Sequence, residues 1–284
     1  MIPTEFDYER ATSIDDAIAK LQAAAGEGKL LAGGHSLIPL MKLRLSEPGK
    51  LIDISRIPGL AGISEKGDKI EIGAGTVHHD VETSVLLREK CPVVADCAAE
   101  IGDPQVRNRG TLGGSLAHSD PSADYPAVMV ALDAEIHLKG PGGWRAVKAA
   151  DFFQDMFTVD MGEHEVIAGV QFAPHQAAAY AKLHQKASHY AIVGVAAALT
   201  IQNGIITGAR LGLTGASSHA QRMGNVEAAL EGKQANTATI EAASAIAGDG
   251  LGDINADIHA SADYRRAMIK VFTRRALEGA LARA

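Results

Sequence analysis

The sequence predicts an α+β protein built from three consecutive units, and three patterns support this prediction. A capped amphipathic helix lies among short apolar strands near the start of the chain, alternating strands follow, and a β-hairpin with three helices comes last. The 284 residues are enough for a large core and several subdomains. We place the units at residues 1–55, 56–175 and 176–284.

The first unit has a β-α-β pattern. Ser13 can cap a helix, because Asp16 follows three residues later. Apolar residues recur at helical spacing as far as Ala25, and the glycines of 26–28 end the pattern. After the helix the sequence predicts strands at 29–32 and 51–54, with a compact apolar segment at 37–45 between them.

The second unit combines strands with helices. Residues 69–72 alternate like a half-buried strand, and residues 76–101 are mostly helical with a break at Cys91-Pro92. The glycine- and proline-containing segment 103–126 is predicted to be a long irregular stretch, of a kind that is often functional. Further strands are predicted at 135–138 and 166–172.

The third unit is predicted to be a three-stranded antiparallel sheet accompanied by helices. The pair Asn203-Gly204 between two apolar runs is a strong hairpin signal. The predicted strands cover 179–186, 192–201 and 205–214, and the predicted helices cover 225–231, 237–247 and 262–283.

Composition and charge exclude several classes of protein. The net charge of −7, with both signs well mixed, argues against nucleic acid as a main partner. Apolar runs such as 191–201 are shorter than the roughly 20 residues that a membrane span needs, and residues 1–6 lack the features of a signal segment. We therefore expect a cytoplasmic protein with no membrane span.

Familiar metal, nucleotide and hydrolase motifs are missing from the sequence. The two cysteines, Cys91 and Cys97, form no C-x-x-C, so a zinc site or an iron–sulfur cluster built from this chain's thiolates is not expected. The segment 73–78 lacks the third glycine of a dinucleotide fingerprint. Residues 253–257 imitate the start of a calcium loop but are followed by Ile258 where glycine is required, and the adjacent residues 118–120 cannot form a catalytic triad.

Two glycine pairs carry the functional signal. They lie in Ala32-Gly33-Gly34-His35-Ser36 and in Thr111-Leu112-Gly113-Gly114-Ser115. Each pair alone is more typical of an ordinary turn than of a phosphate site. Together they could bind the two phosphates of one dinucleotide, because glycine lets backbone N–H groups approach phosphate oxygens closely.

Other residues could complete such a site. Asp124 can accept a hydrogen bond from a sugar hydroxyl, and Lys182 or Lys186 could stabilise negative charge on a reduced flavin ring or a phosphate. The candidate apolar walls are Leu31, Ile101 and Ile167.

These motifs resemble those of the medium, FAD-binding subunit of the molybdenum hydroxylases, the family of carbon monoxide dehydrogenase and xanthine dehydrogenase. The resemblance spans the chain and is most specific in the run Gln105-Val106-Arg107-Asn108-Arg109-Gly110-Thr111, which leads into Gly113-Gly114. It also covers residues 1–6, 29–36, 51–54, 101–104, 120–124 and 180–183.

The resemblance implies a fold and a set of cofactor contacts. Two α/β subdomains of the PCMH-type (vanillyl-alcohol-oxidase-like) fold would enclose FAD, followed by a C-terminal α/β subdomain with a three-stranded antiparallel sheet and a helical bundle. Loops 32–36 and 111–115 would bind the pyrophosphate, Asp124 would lie toward the ribose or adenine, and Lys182 would lie near the cofactor. The residues expected to contact FAD are Leu30, Leu31, Ala32, Gly33, Gly34, His35, Ser36, Ile101, Thr111, Leu112, Gly113, Gly114, Ser115, Asp124, Ile167, Lys182 and Tyr190. No catalytic side chain and no metal ligand is expected.

The resemblance also implies a function and partners. A large molybdopterin subunit would oxidise the substrate, and a small subunit with two [2Fe-2S] clusters would pass the electrons to FAD on this chain. The electrons would then leave to an external acceptor, in a dimer of heterotrimers. One departure is that His189-Tyr190 stand where close carbon monoxide dehydrogenase relatives carry an acidic residue and a tryptophan.

Two alternatives remain open from the sequence. The chain could be a stand-alone FAD oxidoreductase of the vanillyl-alcohol-oxidase type, with His189 and Tyr190 as the place to look for a base. It could instead be a non-catalytic nucleotide-binding module. Arg107 and Arg109 are predicted to brace the second glycine loop rather than bind phosphate.

Overall fold

The first unit is a small parallel sheet with helices beside it. The computed structural model describes residues 2–284. As predicted, Ser13 caps the first helix, because its hydroxyl accepts a hydrogen bond from the N–H of Asp16 at 3.0 Å. The elements are β1 (Asp7–Arg10), α1 (Ile14–Ala23), β2 (Gly28–Leu31), α2 (Leu37–Lys42) and β3 (Lys50–Asp53). The strands pair in parallel in the order β1-β3-β2.

The second unit is a five-stranded antiparallel sheet covered by short helices. Its elements are β4 (Ile63–Lys66), β5 (Lys69–Gly73), α3 (His78–Thr83), α4 (Val85–Lys90), α5 (Pro92–Ala99), α6 (Pro104–Arg107), α7 (Leu112–His118), α8 (Tyr125–Ala131), β6 (Glu135–Gly140), β7 (Gly143–Lys148), α9 (Ala149–Phe152), β8 (Phe153–Asp155), β9 (Thr158–Val159) and β10 (Val166–Phe172). The large sheet has the order β4-β5-β10-β6-β7, and β8 pairs with β9 in a separate small hairpin. The predicted helix break at Cys91-Pro92 lies between α4 and α5.

The segment 103–126 was wrongly predicted to be irregular throughout. It contains α6 and α7 and runs into α8. Its prolines and glycines do not break these helices. Pro104 occupies the first position of α6, where its missing N–H costs nothing. Glycine is required at position 113 of α7, because a Cβ there would lie 2.5 Å from the Ala74 Cβ.

The third unit is an antiparallel sheet backed by helices. Asn203 and Gly204 have φ angles of 52° and 75°, as the predicted hairpin turn requires. The elements are β11 (Ala178–His184), β12 (Ala191–Gln202), β13 (Ile205–Thr214), β14 (Gln221–Arg222), α10 (Gly224–Leu230), α11 (Thr237–Ala245) and α12 (Ala262–Leu281). The three predicted strands are present, and the two-residue β14 adds a fourth at the edge.

The units pack closely where α8 meets the third unit. One apolar core spans the first two units and includes four alanines of the third, and a second core lies within the third unit. A Cβ on Gly212 of β13 would lie 2.0 Å from the carbonyl oxygen of Ala127 in α8. Glycine at this position therefore allows the helix to lie directly on the sheet. Within residues 2–284, no helix is both long and apolar enough to cross a membrane.

Candidate functional site

A cavity of about 830 Å³ is lined by residues of all three units. This volume is within the range of small-molecule sites. Fourteen of the seventeen residues expected to contact FAD line it: Leu30, Ala32, Gly33, Gly34, His35, Ser36, Ile101, Thr111, Gly113, Gly114, Ser115, Asp124, Ile167 and Tyr190. Leu31, Leu112 and Lys182 lie behind the lining, and Leu112 is fully buried in the core.

The two glycine loops touch each other at Gly33. A Cβ on Gly33 would lie 2.1 Å from the carbonyl oxygen of Arg109 and 2.9 Å from the Cα of Gly110. Contacts of this kind cannot accommodate any side chain, because the colliding atoms belong to the backbone. The glycine therefore allows the first loop to lie against the second, and this contact closes one wall of the cavity.

The first loop lines the cavity and has unpaired backbone N–H groups. In residues 2–284, the N–H groups of Gly33, Gly34, His35 and Ser36 have no hydrogen-bond acceptor. Gly34 has a φ of 75°, which glycine adopts readily. Consecutive N–H groups of this kind form a concave site suited to an anion.

The second loop is different, because its N–H groups are already used within the fold. Residues 112–115 donate to the carbonyl oxygens of Thr76 and Ala74, to the Thr111 hydroxyl, and to the Thr111 carbonyl, at 2.8–3.1 Å. The loop is thus fixed to the segment that follows β5. It offers the cavity hydroxyl groups and a tightly packed surface rather than free backbone donors, so the two loops are not equivalent as the sequence suggested.

Arg107 has a structural role in the segment that leads into the second loop, in agreement with the prediction that it does not serve phosphate. Its guanidinium donates to Glu82 Oε2 at 2.8 Å and to the carbonyl oxygen of Ile101 at 3.2 Å. These bonds connect α6 to α3 and to the turn after α5. The Arg109 main chain contributes through its contact with Gly33.

Asp124 lies in a buried polar cluster next to the cavity. Its carboxylate pairs with the Lys182 ammonium at 2.9 Å and accepts a hydrogen bond from the Tyr180 hydroxyl at 2.5 Å. Lys182 also donates to the carbonyl oxygen of Glu100 at 2.9 Å. Burial raises the pKa of Asp124 to about 6, although the Lys182 charge opposes this shift.

This cluster joins two residues that the sequence considered separately. The sequence assigned Asp124 to the ribose or adenine and considered Lys182 for charge on the flavin or a phosphate. The two side chains form one ion pair, with exposures of 5% and 1%, so they lie at the same end of the cavity. That end belongs to the third unit, because β11 carries both Tyr180 and Lys182.

A hairpin loop of the third unit forms the rim beside this cluster. Gln185 fixes the loop, since its side-chain oxygen accepts hydrogen bonds from the N–H groups of Ala187 and Ser188 at 2.7 and 2.6 Å. The rings of His184 and His189 stack at 5.4 Å. Tyr190 remains half exposed at the rim.

Sequence reasoning missed several parts of the cavity wall, and two of them stand out. One is the segment 157–166, which includes β9 and the turn before β10. The other is His78, which is 5% exposed and packs against Gly110. Burial, with the nearby His35 and Arg107, lowers the pKa of His78 to about 4, so its ring is neutral at neutral pH. No local sequence pattern marks either part, since both reach the cavity through long-range packing.

Comparison with known proteins agrees with the geometry. The family described as "FAD binding domain in molybdopterin dehydrogenase" matches residues 4–175, and "CO dehydrogenase flavoprotein C-terminal domain" matches residues 178–280. The carbon monoxide dehydrogenase medium chain of Hydrogenophaga pseudoflava is 39% identical, with 100% of this chain and 99% of that protein covered. The 6-hydroxypseudooxynicotine dehydrogenase complex subunit alpha of Paenarthrobacter nicotinovorans is 37% identical, with 100% and 97% covered.

A solved structure gives the same result. A chain of carbon monoxide dehydrogenase from Hydrogenophaga pseudoflava superposes with a TM-score of 0.96 at 40% identity, and all of both chains is covered. The fold is therefore that of a flavoprotein subunit of a dehydrogenase. This chain belongs to the family of FAD-binding medium chains of the molybdenum hydroxylases, which includes carbon monoxide dehydrogenase. Its cofactor is FAD, and the free N–H groups of the first loop fit the pyrophosphate of that cofactor.

Replacing Gly33 by alanine should separate the two loops. The new Cβ would collide with the Arg109 carbonyl, so we expect unfolding measurements in urea to show a loss of about 1–3 kcal/mol, typical of overpacking. Gly142→Ala is the matched control, since a Cβ there meets no atom within 4 Å and its effect should stay within about 0.5 kcal/mol. Equal stability of the two variants would contradict the close contact.

The pH dependence of the free energy of unfolding should reveal the raised pKa of Asp124. Its pKa in the folded protein lies above its ordinary value, so it contributes stability that is present below about pH 4 and is lost as the pH rises through about 6. The free energy of unfolding of the wild type, minus that of Asp124→Asn, should therefore fall by up to ~3 kcal/mol between these pH values. Tyr180→Phe keeps the carboxylate and should retain the fall. If the difference in unfolding free energy between wild type and Asp124→Asn does not change with pH, the raised pKa of the Asp124 carboxyl is refuted.

Proposed function

We propose that this chain is the electron-transfer subunit of a heterotrimeric molybdenum hydroxylase, in which it binds FAD and passes electrons to an external acceptor. The observation that carries the proposal is that one cavity is lined both by the first loop, whose N–H groups have no partner within residues 2–284, and by the hydroxyl-bearing second loop. An anion cradle of this kind, joined to apolar walls, suits a dinucleotide with a pyrophosphate at its centre.

The residues of the cavity would share the work of binding. The N–H groups of 33–36 would donate to the pyrophosphate, and the hydroxyls of Ser36, Thr111 and Ser115 would add further donors. Ile101 and Ile167 would contact the rings as apolar walls. Leu31, Leu112 and Lys182 lie behind the cavity lining and would hold the lining residues in place.

The end of the cavity at Asp124 and Tyr190 is suited to the isoalloxazine ring. When bound, FAD supplies a ring that accepts electrons from one partner and gives them to another. Asp124, with a pKa near 6, can hold or release a proton beside such a ring, and Lys182 limits the cost of its negative charge. The half-exposed Tyr190 lies where an acceptor would approach.

The partners follow from the same proposal. A large subunit would hold the molybdenum cofactor, and a small subunit would hold two [2Fe-2S] clusters, in a dimer of heterotrimers. The names of the relatives support a complex, since one is a medium chain and another a subunit of a dehydrogenase complex. Both cysteines are unpaired, which is consistent with a reducing compartment such as the cytoplasm.

FAD binding to the purified chain tests the proposal. The wild type should show the absorption bands of oxidised flavin and release unmodified FAD on denaturation. Gly114→Val should lose most of the flavin, because Gly114 lines the cavity and the added side chain displaces only the Thr111 hydroxyl of the fold. Its stability should fall by only about 1 kcal/mol through the weakened helix cap.

Gly142→Val is the control and should retain FAD, since its surroundings are open. A colourless wild-type chain that takes up no FAD would refute the proposal. Purification from its source should bring a molybdopterin subunit and a [2Fe-2S] subunit with it. A flavin reduced by a substrate of the chain alone would instead support the stand-alone oxidoreductase.

A further inference from the structure

We propose that the exposed face of α2, with the turn that follows it, docks the [2Fe-2S] subunit that delivers electrons to this chain. This inference rests on the proposed function and gives its electron-donating partner a place on the surface. Two observations carry it. One is an open groove of apolar and basic side chains beside α2, and the other is the position of that groove directly behind the wall of the cofactor cavity.

The groove is bounded by α2 and the first glycine loop. Its side chains include Ile38, Pro39, Lys42 and Leu43. Leu43 is 53% exposed, and Leu45, which follows it in the turn, is 72% exposed. Leucines exposed together beside a groove form an apolar patch, and such patches mark sites where another protein binds.

The helix itself has more apolar surface than this chain covers. Five of the six residues of α2 are apolar, and Met41 is the one that is buried. Leu37 and Leu40 line the cofactor cavity, whereas Ile38 and Pro39 line the groove. A helix that is apolar all round is normally buried on all sides. The side of α2 that faces the groove therefore lacks the cover that its sequence calls for.

The turn after α2 is fixed in one conformation. The N–H of Leu45 donates to the carbonyl oxygen of Leu40 at 2.9 Å, and the N–H of Arg44 donates to that of Met41 at 3.1 Å. Arg44 has a φ of 58°, which is strained for a residue other than glycine. In a helix end of this type the residue at position 45 usually packs back on the helix, whereas Leu45 points its side chain into solvent. The patch is thus preformed.

Charge selects the kind of partner. Residues 35–45 contain Lys42 and Arg44 and no acidic residue, in a chain whose net charge is −7. Both side chains are exposed and form no ion pair within residues 2–284. Cations beside an apolar patch favour a partner with an acidic surface. They disfavour a second copy of this chain, because a two-fold contact would bring the same cations together.

The groove lies one helix away from the cofactor cavity. Gly33, Gly34 and His35 line both, and Leu37 and Leu40 line the cavity from the other side of α2. The first loop and α2 therefore form the wall between them, and a helix with its side chains is about 10–12 Å across. Electron tunnelling slows steeply with distance, so a protein that delivers electrons to FAD has to bind close to the cavity. A protein in this groove meets that requirement, and in the proposed complex the [2Fe-2S] subunit is the one that delivers them.

Site-specific photo-crosslinking in the assembled complex tests this assignment. The full chain with Leu45→benzoylphenylalanine is produced in its source together with its natural partners, and ultraviolet light then links the new side chain to the protein that lies against it. We expect the product to contain the [2Fe-2S] subunit. Ile258→benzoylphenylalanine is the matched control, because Ile258 is 95% exposed and lies outside the groove, and it should give no link to that subunit.

Substitutions in the groove give a second measurement, the retention of the [2Fe-2S] subunit by a tagged chain. Leu43→Asp should weaken this binding about tenfold or more, because it places a charge at an apolar contact. The double variant Lys42→Glu/Arg44→Glu should weaken it mainly at low salt, since salt screens charges at the edge of an interface. Ile258→Asp should bind like the wild type. Thermal unfolding of each variant should match the wild type, because all of these side chains are exposed.

Several outcomes would overturn the assignment while leaving the proposed function intact. Two of them are a crosslink from position 45 to the large subunit or to a second copy of this chain, and an intact complex that gives no crosslink. Another is wild-type retention of the [2Fe-2S] subunit by both groove variants. A wild-type chain that purifies with neither partner would instead refute the proposed function itself, so the two failures are distinguishable.

Discussion

The contact between Gly33 and the main chain of Arg109 is the constraint on which the site depends. It joins a loop of the first unit to a loop of the second with no room for a side chain. Because the second loop is fixed by its own hydrogen bonds to the segment after β5, it acts as the rigid surface on which the first loop is placed. The first loop then keeps its N–H groups free. The second loop therefore fixes the position of the first, and the first loop supplies the free N–H donors.

The third unit completes the cavity through a second set of contacts. Gly212 allows α8 to lie on β13, and the buried Asp124–Lys182 pair spans the boundary between the units. A buried pair of this kind adds little net stability compared with an apolar contact, because both charges lose their hydration. Here the pair holds Lys182 of the third unit against Asp124 of the second, so it fixes the two units relative to each other beside the cavity.

Local rules in the sequence predicted much of the fold. The Ser13 cap and the Asn203-Gly204 turn depend on neighbouring residues, and the structure confirms both. Helix α7 was missed because glycine is a poor helix former, whereas Gly113 allows the helix to pack against Ala74. The pairing of Asp124 with Lys182, 58 residues apart, and the cavity wall at 157–166 depend on tertiary packing, which no local pattern encodes.

The asymmetry of the two loops is the central claim, and hydrogen exchange measured at single amides tests it most directly. In the free chain the amide protons of 33–36 should exchange rapidly and those of 112–115 slowly, because only the second group is hydrogen-bonded. FAD should slow exchange strongly at 33–36 and leave 112–115 little changed. Equal protection of both loops in the free chain, or slowing by FAD confined to the second loop, would contradict the account.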